Sequence, residues 1–107
     1  MAFKNEAKNE KDVEKYFNQE VAKLGGKSYK WVSVNNRAVP DRIIFLPEGL
    51  LKIVELKAPG KRPTPLQEKV HKYMRSLGHE VWVVDSKFKV DIVIENWREE
   101  IEFRSNL

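Results

Sequence analysis

Three side chains in the middle of the chain have the types and spacing to act together on a phosphate ester: Asp41, Glu55 and Lys57. Glu55 and Lys57 end the stretch LLKIVELK, residues 50–57, which is rich in strand formers. Side chains alternate faces along a strand, so Leu51, Ile53, Glu55 and Lys57 share one face. That face begins apolar and ends with a carboxylate and an ammonium roughly 6.5–7 Å apart, close enough to serve one ion or water.

Asp41 opens a second apolar stretch, Arg42–Leu46, and the two stretches are joined by Pro47-Glu48-Gly49. A three-residue hairpin loop with glycine at its left-handed position pairs Leu46 with Leu50, Ile43 with Ile53 and Asp41 with Glu55. Two carboxylates directly opposed across a hairpin repel, and a divalent cation between them removes that conflict. Hard oxygen donors of this kind suit Mg²⁺ or Mn²⁺, with the backbone carbonyl of Leu56 as a further oxygen. Lys57 beside the ion is placed to orient a water or to stabilise charge growing on phosphorus. A bare E-x-K is more often an exposed ion pair. Here the P-D and E-x-K elements stand 14 residues apart on the two arms of one hairpin, and a basic loop follows.

The flanking sequence supplies a scaffold. Asn9 is an N-cap, with Asp12 in the capping-box position. Val13, Tyr16, Phe17, Val21 and Leu24 then recur at helical spacing, and Gly25-Gly26 ends the helix. Residues 28–34 read as a strand and 35–39 as a loop. After the hairpin and the basic loop 58–63, Thr64-Pro65-Leu66-Gln67 opens a helix with a capping threonine, proline at the first position and glutamine at the third. Leu66, Val70, Tyr73 and Leu77 form its expected buried stripe. Glu80–Val84 is a buried strand. Ser86 caps a last helix carrying Val90, Val93, Ile94, Trp97 and Ile101, and the final RSNL is expected to be loose. Helix, three-stranded meander, helix, strand, helix makes an α/β fold, a mixed sheet flanked by helices. At 107 residues it is one domain, with its core at about 9–103 between frayed ends.

Charge is distributed to match. The net charge is +4 and the pI about 9.3. Residues 52–75 carry seven basic side chains against two acidic ones, so a polyanion would be drawn to the middle of the chain. Lys61 and Arg62, in the loop after the E-x-K strand, are the expected phosphate contacts. There is no cysteine, which excludes disulfides, thiolate metal sites and cysteine nucleophiles. The polar start MAFKNEAKNEKD is no signal peptide, and no apolar run reaches membrane-spanning length. These features suit an intracellular protein without a membrane partner. Trp31, Trp82 and Trp97 fall at core-facing spacings. His71 and His79 stand isolated and receive no role.

Pro40-Asp41 followed by Glu55-Leu56-Lys57 resembles the PD-(D/E)XK nuclease superfamily. The closer resemblance is to the virus-type replication-repair nuclease (VRR-NUC) family. It is carried by Val13-Glu14, Gly25-Gly26, Val39-Pro40-Asp41-Arg42-Ile43, Val54 through Lys61, Pro63-Thr64-Pro65-Leu66-Gln67 and Gly78, across roughly residues 10–95. Val39 stands where the family often has glycine. The resemblance implies a restriction-endonuclease-like core and a viral or bacterial origin. By it, Asp41 and Glu55 are metal ligands, Lys57 is the catalytic lysine, and Gln67 and Glu14 are further site residues. Glu10, one turn before Glu14, is the rival for the helix carboxylate. The implied activity is metal-dependent, structure-selective endonucleolytic hydrolysis of DNA, with a Holliday junction as substrate and a homodimer as the working form. The alternatives are a non-catalytic nucleic-acid-binding module on the same fold and a nuclease for other DNA substrates. A metal-dependent cleavage assay separates them.

Overall fold

A computed structural model describes residues 6–107; the first five residues of the expected frayed tail lie outside the described residues. Helix α1 spans Glu10–Lys23 and strands β1, β2 and β3 span Lys27–Lys30, Arg42–Leu46 and Leu50–Leu56. Helix α2 covers Pro65–Ser76, β4 Val81–Val84 and α3 Lys87–Ser105. The strands form one mixed sheet in the order β1-β2-β3-β4, antiparallel except for the β3–β4 pair, which α2 connects as a crossover.

Local chemistry sets each boundary. Asn9 accepts the Asp12 amide at 3.0 Å and starts α1, while the Asp12 carboxylate reaches back past the cap to the Lys8 amide at 2.8 Å. Gly25 follows the helix at φ +84°, and a Cβ on Gly26 would stand 2.8 Å from the Phe45 carbonyl oxygen. Only glycine lets the chain pass so close to β2. Thr64 and Gln67 make the reciprocal capping box of α2, and Ser86 accepts the Lys89 amide to start α3. Helix α3 runs on to Ser105, so Arg104 and Ser105, the first half of the C-terminal segment expected to be loose, are helical.

β1 is shorter than the stretch 28–34 and starts one residue earlier. Pairing continues only as far as the Trp31 amide, which donates to the Asp41 carbonyl at 2.7 Å. Pro40 then offers no N–H to the ladder, and the chain departs. The hairpin has the expected register, Leu46 with Leu50 and Ile43 with Ile53. Its loop puts Gly49 at φ +73° and also Glu48 at φ +65°.

One face of the sheet carries Ile44, Leu46, Leu50, Val54, Leu56 and Val84 against Val13, Phe17 and Val21 of α1 and Val90, Val93, Ile94 and Trp97 of α3. Trp97 meets Phe17 and Trp82 edge-to-face. Lys52 lies on this same face, 4% exposed, and is neutralised by Glu100 at 2.6 Å and Glu80 at 3.2 Å.

The opposite face is covered by α2 on its β3–β4 side, and Tyr29, Phe45 and Leu51 remain about half exposed. Here the sequence expectation for α2 is corrected. Leu66, Tyr73 and Leu77 are exposed and Val70 is only partly buried, while His71 is buried. The helix is turned so that His71 meets Glu55 and Arg75 bonds the Val81 carbonyl at 2.6 Å. Those polar contacts leave the apolar stripe outside. No helix among the described residues is long and apolar enough to cross a membrane.

Candidate active site

Arg42 pairs with Val54 at the end of the β2–β3 ladder, so Asp41 sits one residue beyond it, on the Glu55 level. Asp41 is held from both sides. Its carbonyl accepts the Trp31 amide, and its Oδ2 accepts the Leu56 amide at 2.8 Å. The aspartate therefore reaches across to β3 rather than out into solvent.

Glu55 lies on the interior strand, with Val83 of β4 as its neighbour, and is 1% exposed. Its Oε2 is 3.4 Å from Lys57 Nζ, and its Oε1 is 3.6 Å from His71 Nε2. Burial pushes the Glu55 carboxyl up to about 7. The neighbouring Asp41 carboxylate acts in the same direction, and Lys57 opposes it. The two acids thus lie close together, and below about pH 7 the buried one keeps its proton. Lys57 is more enclosed than its place at the end of a strand suggests, with its side chain 15% exposed.

On α1 the carboxylates divide. Glu14 accepts from Arg42 at 2.7 Å. Glu10 is exposed in the first turn of α1, and its carboxyl is raised by partial burial, by the Asp41 charge and by Glu14, with Lys57 opposing. The geometry thus brings the rival Glu10 into the field of Asp41 and Lys57, and commits Glu14 to an ion pair.

On α2, Gln67 closes the capping box with its Oε1 and lies one turn before His71 on the same side of the helix. His71, assigned no role from the sequence, is buried to 1% against Glu55. Its basicity is lowered by burial, then by Arg75 and Lys57, with Glu68 and Asp41 opposing. The spacing Gln67, His71, Arg75 was the available signal, but the stronger apolar stripe on α2 concealed it.

Lys61 and Arg62 are exposed in the loop after β3. Arg62 continues into a groove with Lys72, Arg75 and His71 that runs from the loop to the buried histidine; Lys72 and Arg75 belong to the basic stretch 52–75. Trp31 is not a core residue. It is half-buried and lines a depression with Lys30, Arg37 and Asp41.

Among the described residues no group of three or more His, Asp or Glu side chains is arranged to hold a divalent ion. The convergent carboxylates nevertheless fit a hard cation. They repel, and Glu55 Oε1 is buried without a hydrogen-bond partner. Mg²⁺ commonly takes one or two carboxylates and completes its shell with water and phosphate oxygens.

No family profile matches the chain. Over 78 residues it is 49% identical to "Putative nuclease p44" of Acyrthosiphon pisum secondary endosymbiont phage 1, covering 73% of this chain and 84% of that protein. The fold is similar to a solved VRR_NUC domain with a TM-score of 0.75 and 34% identity, over 80% of this chain and 94% of the other.

Proposed function

Because the chain belongs to the VRR_NUC nuclease family, we propose that it is a Mg²⁺- or Mn²⁺-dependent endonuclease that cuts branched DNA, with the Holliday junction as substrate and a homodimer as the active form. The observation that carries the catalytic part is the convergence of Asp41 with the buried Glu55 at the open end of the hairpin, with Lys57 3.4 Å from Glu55.

In this reading Asp41, Glu55 and the Leu56 carbonyl hold the cation. When bound, the cation supplies an activated water and a Lewis acid at the scissile phosphate. The Leu56 amide fixes the Asp41 carboxylate, so that ligand is ordered before any cation arrives. Lys57 keeps an ammonium where negative charge increases on the phosphoryl oxygens. Glu14 orients Arg42 at the base of the site, and Glu10 adds negative charge beside Asp41. Gln67 fixes the first turn of α2. Lys61 and Arg62 hold the backbone of the DNA strand without reading bases.

A domain of this size has few elements for sequence readout, which favours recognition by shape. A four-way junction is approximately two-fold symmetric, and a two-fold dimer presents two sites for paired cuts. The exposed apolar side chains Leu66, Tyr73 and Leu77 on α2, with Tyr29, Phe45 and Leu51 on the open sheet face, supply surface for a second copy. The test is incubation with single-stranded, duplex, flap and four-way DNA in Mg²⁺, Mn²⁺ or EDTA, beside a sedimentation measurement of mass. Cation-dependent paired cutting of the four-way substrate by a dimer is the expected result. Undiminished cutting in EDTA would remove the metal. Equal cutting of plain duplex, or full junction activity from a monomer, would remove the substrate or the assembly.

A further inference from the structure

His71 is the one histidine that α2 buries, and it is buried where an apolar residue would be the simpler choice. The helix has an apolar stripe available, yet Leu66, Tyr73 and Leu77 face outward and His71 faces the sheet. Its Nε2 is inaccessible to solvent and has no hydrogen-bond partner. The same holds for Glu55 Oε1, and the two atoms face each other at 3.6 Å. An orphaned polar atom keeps the full desolvation penalty of its burial, so each of the two is costly alone. A separation of 3.6 Å is too long for a hydrogen bond, but a movement of a few tenths of an ångström closes it. The other charged groups around the imidazole are Arg75 and Lys57, which disfavour its protonation, and Glu68 and Asp41, which favour it.

We propose that His71 is a positioning residue for the metal site: its Nε2–H donates to Oε1 of Glu55 and holds the carboxylate so that Oε2, on the Lys57 side, is presented to the cation. The inference rests on the metal-binding reading of Asp41 and Glu55 given above. A carboxylate ligand with one oxygen tethered loses less freedom when the other coordinates, and removal of such outer partners characteristically weakens metal affinity 10–100-fold. Nothing in this role needs the histidine to change its charge.

The test measures Mn²⁺ binding to the full chain without DNA, by calorimetry and by the electron paramagnetic resonance signal of free Mn²⁺. The proteins are wild type, His71→Leu, His71→Gln and Glu55→Gln, with thermal melts in EDTA as the folding control. His71→Leu fills the space with an apolar side chain and should melt no lower than wild type, yet bind Mn²⁺ at least tenfold more weakly. His71→Gln places an amide donor near the position of Nε2 and should recover affinity to within about threefold of wild type. Glu55→Gln should show the largest loss. A folded His71→Leu protein that binds Mn²⁺ as wild type does, beside a Glu55→Gln protein that does not, would overturn the positioning role and leave the metal site standing. The same holds if leucine and glutamine weaken binding equally. If Glu55→Gln also binds Mn²⁺ normally, the metal-site reading fails and the role of His71 with it.

Discussion

Replacing Glu55 with glutamine should destroy cleavage and make the metal-free protein more stable. Glu55 is 1% exposed and its carboxyl is pushed from 4.5 to about 7 by burial and by Asp41. Between those values the folded chain holds a proton that the unfolded chain has released. Stability therefore falls as pH rises through that window, and the loss is complete above about 7. At ~1.36 kcal/mol per tenfold change in an ionisation constant, the ionised side chain costs the fold on the order of 3 kcal/mol at pH 8. Glutamine keeps the shape and carries no charge, so it should recover about 1–3 kcal/mol at pH 8. For a domain near this size that raises the melting temperature by roughly 5–15 °C. At pH 4.5 or below wild-type Glu55 is largely protonated and the advantage should nearly vanish. The assay is thermal denaturation by circular dichroism in EDTA at pH 4.5 and pH 8, beside a cleavage time course with Mg²⁺. A Glu55→Gln protein that is less stable than wild type at pH 8, or equally shifted at both pH values, would refute the electrostatic account of the site.

Lys57→Ala should lower the cleavage rate by about 10²–10³-fold while gel-shift affinity for DNA changes little. A folded, binding variant that cuts at the wild-type rate would sink the site. Lys61→Ala with Arg62→Ala should weaken every DNA substrate alike and flatten the dependence of binding on salt; a loss confined to one sequence would contradict phosphate contact. Gly26→Ala should destabilise by about 2 kcal/mol or more in urea denaturation, since its Cβ would stand 2.7 Å from Leu46 Cδ2 and 2.8 Å from the Phe45 carbonyl.

Local signals with a single physical cause were legible in the sequence. The caps at Asn9, Thr64 and Ser86 are contacts within a few residues, and the hairpin register follows from loop length and alternation, so both could be derived without knowing the rest of the fold. The level of Asp41 with Glu55 came from the same register. What stayed hidden depended on packing between distant elements. The apolar stripe of α2 is real, but two polar contacts, His71 with Glu55 and Arg75 with the Val81 carbonyl, decide which side of the helix faces the sheet. Lys52 in the core is intelligible only with Glu80 and Glu100 in place. Glu14 is paired with Arg42, 28 residues away in the chain, and no pattern within α1 reveals that contact.

The crossover that carries the chain from β3 through α2 to β4 also gives the site a history. The hairpin β2–β3 closes over a three-residue loop, and such a short contact forms fast. At that stage the Glu55 carboxylate is still hydrated. The enclosure arrives only when α2 and β4 close over it, late in chain order and through more distant contacts. Ionised Glu55 would then oppose the final consolidation rather than nucleation, and a cation bound as proposed would act on the native state alone. In stopped-flow kinetics at pH 8, Mn²⁺ should slow the unfolding limb and leave the refolding limb nearly unchanged. A cation effect confined to refolding would mean that the enclosure forms first. A slower unfolding limb would leave the protein kinetically fragile while empty and long-lived once loaded.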